Sequence, residues 1–127
     1  MLLDSNLVIY AGRPEHEALR DVIAREGPYV SAISKVETLG YHELGEDEKR
    51  FLGEFFDAAD VLPVSQSAIA AATRLRQRRR MSLGDALIAG TALSHGLSLA
   101  THNTEDFAWI EELEVVDPLA NESEGSV

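Results

Sequence analysis

The sequence has no cysteine among its 127 residues, so disulfide bonds and thiolate metal ligands are both excluded. It has no apolar run near the ~18 residues that a membrane-spanning helix needs, and its first residues lack the pattern of a signal peptide. These absences predict a protein of the reducing cytoplasm with no membrane association. A chain of this length corresponds to one domain, and we expect it to fold without crosslinks.

Positive charge is also scarce, because 11 lysines and arginines face 22 acidic residues and the formal net charge is −11. That balance argues against a general nucleic-acid binder, whose affinity for phosphates depends on cationic contacts. One local exception is a short basic strip, which holds five of the 11 cations. The strip consists of Arg74, Arg76, Arg78, Arg79 and Arg80.

The order of short apolar runs and longer helical patterns predicts an α/β fold with a mostly parallel sheet of four to five strands. We expect one domain over residues 1–120, followed by a polar tail at 121–127. The expected strands are 2–3, 29–31, 61–64, 97–100 and 115–116. The expected helices are 7–11, 14–26, 33–43 with Val36, Leu39 and Tyr41 facing inward, 46–58, one from Ser65 into the basic strip, 83–95, and a short turn at 107–110.

Several acidic residues lie close to the ends of the predicted strands or in the first turns of the predicted helices. Ligands of open α/β sheets bind at the carboxyl ends of the strands. Asp4 follows the first strand, Glu37 lies one turn into the helix after the second, and Asp106 lies just past the fourth. Asp85 lies in the first turn of a helix that is apolar over most of its circumference, so that helix is expected to be buried.

Each of these acids has a simpler interpretation when it is taken alone. Asp4 and Asp106 are suitable helix caps, Glu37 is an ordinary helix residue, and Asp85 favours the dipole of its helix by about 0.3–1 kcal/mol. Only their joint placement predicts a site. Several carboxylates in one cleft repel one another, and a hard cation such as Mg²⁺ or Mn²⁺ offsets that repulsion through oxygen ligands.

Four segments in this order resemble the motifs of PIN domains. Residues 4–6 (DSN) are similar to the opening motif, and residues 31–37 (SAISKVE) to the second segment, which ends in glutamate. Residues 82–89 (SLGDALIA) and 99–107 (LATHNTEDF) are similar to the third and fourth. Each motif is weak alone, but the four in order, over residues 1 to about 118, form a specific pattern. The length and the last motif most resemble VapC-type toxins of toxin–antitoxin pairs.

The resemblance implies a PIN-like three-layer α/β/α sandwich and a Mg²⁺- or Mn²⁺-dependent endoribonuclease that uses water as its nucleophile. It also implies a homodimer that is silenced by a small antitoxin. By position, the catalytic and metal-binding acids would be Asp4, Glu37, Asp85 and Asp106, of which Asp4 and Asp85 would be the most direct ligands. Residues that orient ligands or water would be Ser5, Asn6, Thr101 and Asn103.

The chain departs from the family pattern in two ways. Its first strand is very short, and Asn103 stands where many PIN domains carry an acid, so the fourth carboxylate is reached only at Asp106. The basic strip also has two interpretations. Arg78, Arg79 and Arg80 either contact RNA phosphates beside the acidic cleft or form a solvated helix face or an antitoxin-docking surface.

Other functions remain open at this point. A PIN-like module that binds nucleic acid or protein without catalysis would have no need for clustered carboxylates. A Mg²⁺-dependent phosphatase would normally require a nucleophilic D-x-D pair, and residues 4–6 (DSN) lack the second acid. A receiver domain would require an acidic pair and a suitably placed lysine, but Lys35 and Lys49 are the only lysines.

Overall fold

Five short parallel strands form a single sheet in the computed structural model, which describes residues 1–120. The strands lie in the spatial order β3-β2-β1-β4-β5, so β1 is central. In register, Leu3 of β1 is paired with Val30 of β2 on one side and with Ala100 of β4 on the other. The strands are β1 (Leu2–Leu3), β2 (Tyr29–Ser31), β3 (Asp60–Leu62), β4 (Leu99–Ala100) and β5 (Val115–Val116).

Within the described part of the chain, six α-helices connect and cover these strands. Side-chain caps begin several of them: the Ser65 hydroxyl accepts from the Ala68 amide, and Asp4, Ser31 and Ser82 act in the same way. The helices are α1 (Ser5–Ala11), α2 (Glu17–Glu26), α3 (Ala32–Leu39), α4 (Glu46–Ala58), α5 (Gln66–Arg78) and α6 (Leu83–Ser94). Two 3₁₀ turns are found at Pro14–His16 and Thr104–Asp106.

Alternation along the strands divides the core between the two faces of the sheet. Leu3 packs with residues of α1 and α4, including Leu7 and Phe56. Its neighbour Leu2 packs on the opposite face with α5, α6 and the segment around Phe107. Helices therefore cover both faces, and the expected α/β/α sandwich with a parallel central sheet is confirmed.

On the second face, α5 and α6 pack closely because small residues meet between them. A Cβ atom at Gly90 would lie 2.9 Å from the backbone nitrogen of Ala72, which is too close for a larger residue. The predicted burial of the Asp85 helix is confirmed, because Ala86, Ile88 and Ala89 of α6 are buried. This packing fixes the position of the first turn of α6 relative to the sheet.

The prediction for the third helix was wrong in two respects. The helix ends at Leu39 rather than near residue 43, and Val36 and Tyr41 are 70% and 52% exposed instead of facing inward. Its buried face carries the hydroxyl residues Ser34 and Thr38. The Thr38 hydroxyl donates to the Ser34 carbonyl at 2.8 Å, so this polar face is hydrogen-bonded internally and an apolar pattern did not reveal it.

Other differences are small shifts of element boundaries. The helix expected over 14–26 is divided into the 3₁₀ turn and α2, and the strand expected at 97–100 is shortened to two residues. The turn expected at 107–110 is preceded by the 3₁₀ turn at Thr104–Asp106. The predicted tail at 121–127 lies outside the described residues. Within residues 1–120, no helix is long and apolar enough to cross a membrane.

Candidate active site

The carboxyl ends of β1 and β4 meet at the point where the strand order reverses. The chain leaves β1 toward β2 and β3 on one side, and β4 and β5 lie on the other side. Such a switch point opens a crevice that is the usual ligand site of a parallel α/β sheet. Asp4 follows β1 and Thr101 follows β4, and the Thr101 hydroxyl donates to Asp4 Oδ2 at 2.8 Å. The first predicted acid therefore lies at the switch point.

Asp4 is held in one orientation by two hydrogen bonds. In addition to the bond from Thr101, its Oδ1 accepts from the Ser5 amide at 2.8 Å, which makes Asp4 the N-cap of α1. The residue is only 4% exposed. A carboxylate has about four lone-pair sites, so each oxygen retains capacity for a further partner. The Asp4 carboxylate is thus fixed in orientation, and its oxygens can still accept a further hydrogen bond or bind an ion.

Burial raises the pKa of the Asp4 carboxyl above its ordinary value. The hydrogen bond from Thr101 opposes this rise, the charge of Asp85 adds to it, and smaller effects of opposite sign come from the Ser5 amide and from Glu37. Ionised Asp4 is therefore poorly compensated by its protein surroundings. A bound cation would supply the missing compensation.

Glu37 approaches the crevice from α3. Its Oε1 lies 2.8 Å from Ser5 Oγ, which in turn lies 2.9 Å from the buried Ser34 Oγ. An ionised carboxylate only accepts, so Ser5 donates its single proton to Glu37 and receives the bond from Ser34. The other oxygen of Glu37 lies against Gly84, where an added Cβ would collide with it. Glu37 is therefore fixed between α1 and the first turn of α6.

Asp85 faces the same region from α6. Its amide donates to the Ser82 hydroxyl at 3.1 Å, which caps the helix, and its side chain is half-buried. Burial raises the pKa of Asp85, hydrogen bonding to Ser82 opposes the rise, and the charges of Asp106 and Glu37 add to it. Asp85 therefore interacts electrostatically with each of the other three predicted acids.

The remaining predicted residues differ in how far they are exposed to solvent. Asp106 is exposed at the end of the 3₁₀ turn, and Asn6 is exposed in the first turn of α1. Asn103 reaches Thr101 through its backbone, since its amide donates to Thr101 Oγ1 at 3.0 Å. Thr101 consequently connects the loop after β4 to Asp4. Its own burial is complete, at 0% exposure.

The donor set of the crevice consists of oxygen atoms, which suits a hard divalent cation. Within residues 1–120, however, no three acidic or histidine side chains are gathered closely enough to enclose an ion by themselves. Mg²⁺ commonly keeps several waters and binds through one or two carboxylates. The arrangement therefore fits a hydrated cation beside Asp4, whose orientation is fixed, with Asp85 facing the same region.

The basic strip begins near the end of α5 and makes contacts within the protein. Arg78 Nη1 lies 2.7 Å from Glu112 Oε2. The guanidinium carbons of Arg78 and Arg79 lie 5.3 and 5.5 Å from the centroid of the Trp109 ring. Arg80 follows, exposed, beyond the helix end. Arg78 thus has partners on the segment that carries Asp106.

Sequence reasoning missed two residues that shape the site. Ser34 lies three residues before Glu37, a spacing that places both on one face of a helix and that predicts contact between their surroundings. Gly84 stands in the first turn of a helix, where a glycine requires a reason. That reason is the approach of the Glu37 carboxylate. Both signals were local and readable from the sequence.

An all-parallel α/β protein with carboxylates at its switch point is the class that this fold and site define. Residues 1–113 match the family model described as PIN domain, so the chain belongs to the PIN domain family. The predicted resemblance is confirmed. A search of curated proteins found no significant match.

Solved structures of similar fold include members of toxin–antitoxin complexes. A chain of a toxin–antitoxin complex from Klebsiella pneumoniae is 29% identical, with a TM-score of 0.69, and the match covers 92% of this chain and 96% of that one. A chain of FitAcB from Neisseria gonorrhoeae is 27% identical, with a TM-score of 0.73 and the same coverage. A chain of DNA-bound VapBC from Salmonella typhimurium, at 24% identity, has a TM-score of 0.79, also with 92% and 96% covered.

Proposed function

We propose that this protein is a Mg²⁺- or Mn²⁺-dependent endoribonuclease that hydrolyses RNA phosphodiesters and serves as the toxin of a VapC-type toxin–antitoxin pair. The observation that carries the proposal is the buried Asp4, which is oriented at the switch point beside Asp85 and Glu37. Membership of the PIN domain family and the likeness to chains of toxin–antitoxin complexes support it.

Asp4 and Asp85 would hold the ion, with Glu37 and Asp106 on its solvent side. When bound, a divalent cation lowers the pKa of water and stabilises the negative charge that develops at phosphorus. The protein's own side chains and amides orient the carboxylates. Thr101 and the Ser5 amide each donate to one Asp4 oxygen and so fix the orientation of its carboxylate. The Ser5 hydroxyl donates to Glu37 and holds its side chain in position.

A partner surface adjoins this site. A groove beside α1, α3 and α4 is lined by Ile9, Tyr41, Leu44 and Phe51 and extends to Glu37. A partly apolar groove that leads to a carboxylate suits a segment with apolar side chains and a cation. This supports the proposal of a small antitoxin that covers the site, and we include in the proposal a homodimeric toxin that acts in the cytoplasm.

The test is cleavage of RNA by purified protein with Mg²⁺ or Mn²⁺, compared with an Asp85→Asn variant. We expect discrete products from the wild type and a loss of roughly 10²- to 10³-fold in the variant, because a catalytic cation contributes several kcal/mol. Asp21→Asn, which changes an exposed acid on α2, is the matched control and should cleave normally. Equal cleavage by all three proteins would indicate a contaminant and overturn the proposal. RNA or antitoxin binding without cleavage would instead favour a non-catalytic PIN-like module.

A further inference from the structure

A compact set of side chains joins the end of α5 to the segment after β4. We call it the arginine–tryptophan cluster, and its members are Arg78, Arg79, Trp109 and Glu112. Arg78 is shared between Glu112 and the face of the Trp109 ring, and Arg79 lies near the same ring. Guanidinium groups favour such aromatic faces because of the negative charge on the ring surface.

The cluster is connected to the candidate active site through Trp109. The indole Nε1 donates to the backbone carbonyl of Asp106 at 3.0 Å. Asp106 is itself exposed at the end of the 3₁₀ turn, between Asn103 and the buried Phe107. The chain of contacts therefore runs from Arg78 to Trp109 and from Trp109 to the backbone of Asp106.

We propose that the arginine–tryptophan cluster is a clamp that holds residues 104–112 against α5 and so positions Asp106 for the proposed metal-dependent cleavage. In this arrangement, Arg78 is a positioning residue and not a contact to RNA. The inference rests on the proposed nuclease function, but the clamp itself is measurable without activity.

Charge and geometry favour the clamp over an RNA contact for Arg78. Its guanidinium already donates to a carboxylate at 2.7 Å, and Glu112 would repel an approaching phosphate. The hydrogen bond from Arg78 also lowers the pKa of the Glu112 carboxyl. Arg80, which lies beyond the helix end, is the member of the strip better placed to meet an anion in solution.

Glu112→Gln distinguishes the two roles because each role predicts a change in a different quantity. If Arg78 contacts RNA, removal of the competing carboxylate should strengthen RNA binding. If the cluster is a clamp, Glu112→Gln should weaken Mn²⁺ binding and lower kcat by about two- to fivefold, with KM nearly unchanged. Glu111→Gln removes the neighbouring exposed charge and is the matched control, which should behave as the wild type.

Trp109 is the only tryptophan of the chain, so its fluorescence reports on the cluster directly. We expect Arg78→Gln and Glu112→Gln to increase acrylamide quenching of Trp109 in the metal-free protein. Arg74→Gln, which is on the same helix and exposed, should leave the quenching unchanged. Trp109→Phe keeps an aromatic ring but loses the donor to Asp106, and it should weaken Mn²⁺ binding, measured by calorimetry, as Arg78→Gln does.

The double variant Arg78→Glu with Glu112→Arg tests the pair by rescue. If the cluster is a clamp, each single change should increase acrylamide quenching of Trp109, weaken Mn²⁺ binding and lower kcat. The double variant should recover much of the wild-type behaviour in all three measurements. Affinity for a fluorescein-labelled RNA hairpin, measured in EDTA, should keep its salt dependence in Arg78→Gln.

Two outcomes would overturn the clamp. One is unchanged quenching and Mn²⁺ affinity in both single variants. The other is a fall of about one in the salt slope for Arg78→Gln, which marks the loss of a phosphate contact. If the wild type cleaves no RNA, the proposed function fails, whereas the quenching and rescue results still decide whether the clamp exists.

Discussion

The candidate active site and the arginine–tryptophan cluster differ in how their charged side chains are arranged. At the site, like charges are brought together, and Asp4 is buried at 4% exposure beside Asp85 and Glu37. In the cluster, opposite charges are paired on the surface, where the side chains of Arg78 and Glu112 are 44% and 54% exposed. The first arrangement destabilises the metal-free protein, and the second costs it little.

The difference separates residues that serve the fold from those that serve a ligand. A cluster of like charges with raised pKa values gives folding no benefit, so its retention is expected where a function requires it. A surface ion pair with aromatic contacts gives a small stabilisation and fixes local geometry. The comparison predicts that substitutions at the two places change stability in opposite directions.

The largest expected effect is the loss of metal binding in Asp85→Asn. Removal of one of the two carboxylates proposed to hold the ion should weaken Mn²⁺ binding by about 100-fold. Without metal, the same variant should melt a few degrees higher than the wild type, because the cost of burying the Asp85 charge and the smaller repulsion from Asp106 and Glu37 are relieved. Thermal unfolding with EDTA and with Mn²⁺ measures both effects. If the metal-free variant were less stable than the wild type, the predicted difference in sign between the two regions would be contradicted.

Thr101→Val tests how far the protein orients Asp4. The change preserves shape but removes the donor to Asp4 Oδ2 and the acceptor for the Asn103 amide. Hydrogen bonds to charged groups contribute about 1.5–3 kcal/mol, so we expect a destabilisation in that range. Thr101→Ser retains the hydroxyl and is the control for it. Denaturant unfolding that places both variants at wild-type stability would contradict the assigned bond.

A third prediction concerns pH. The folded pKa of Asp4 lies above the ordinary value of 3.8, so the folded state binds the extra proton more readily than the unfolded state. Its contribution to stability is therefore fully present at low pH and is lost as the pH rises through the folded pKa. We expect the melting temperature of the metal-free wild type, relative to Asp4→Asn, to fall as the pH rises from the ordinary pKa of 3.8 toward neutrality.

With Mn²⁺ present, the trend should reverse, because the ion competes with the proton for Asp4 and binds best when the carboxyl is ionised. The Asp4→Asn variant serves as the reference because it shares the other titrating groups. A constant difference between the two proteins over this range would mean that the pKa of Asp4 is not raised.

Much of the fold was readable from the sequence because it depends on local patterns. The short strands carry apolar side chains, and caps such as Ser65 and Ser82 mark where helices begin. The inward face of α3 was not readable in this way. Its buried residues, Ser34 and Thr38, are polar, and their burial is tolerated only because Ser5 and a backbone carbonyl are present to bond them.

The positions of the acids were predicted from the sequence, but the hydrogen bonds that orient them were not. A strand end is visible in a sequence, so Asp4 and Thr101 could be placed at the same edge of a sheet. The bond between them depends on β1 and β4 being neighbours across 97 positions of sequence. The contacts of Arg78 with Trp109 and Glu112 likewise depend on tertiary packing, and so sequence reasoning left the role of the basic strip open.

The smallest expected effect is at the surface pair. Arg78→Gln should lower stability by less than about 1 kcal/mol, because exposed ion pairs are screened by solvent. The loss should decrease further in high salt, whereas the stabilisation of metal-free Asp85→Asn, whose side chain is half-buried, should be less sensitive to salt. Denaturant unfolding at low and high salt measures both, with Arg74→Gln as the control on the same helix. If Arg78→Gln lowered the free energy of unfolding as much as Thr101→Val does, the cluster would be a structural element of the fold. The two regions would then differ in burial but not in what they contribute to stability.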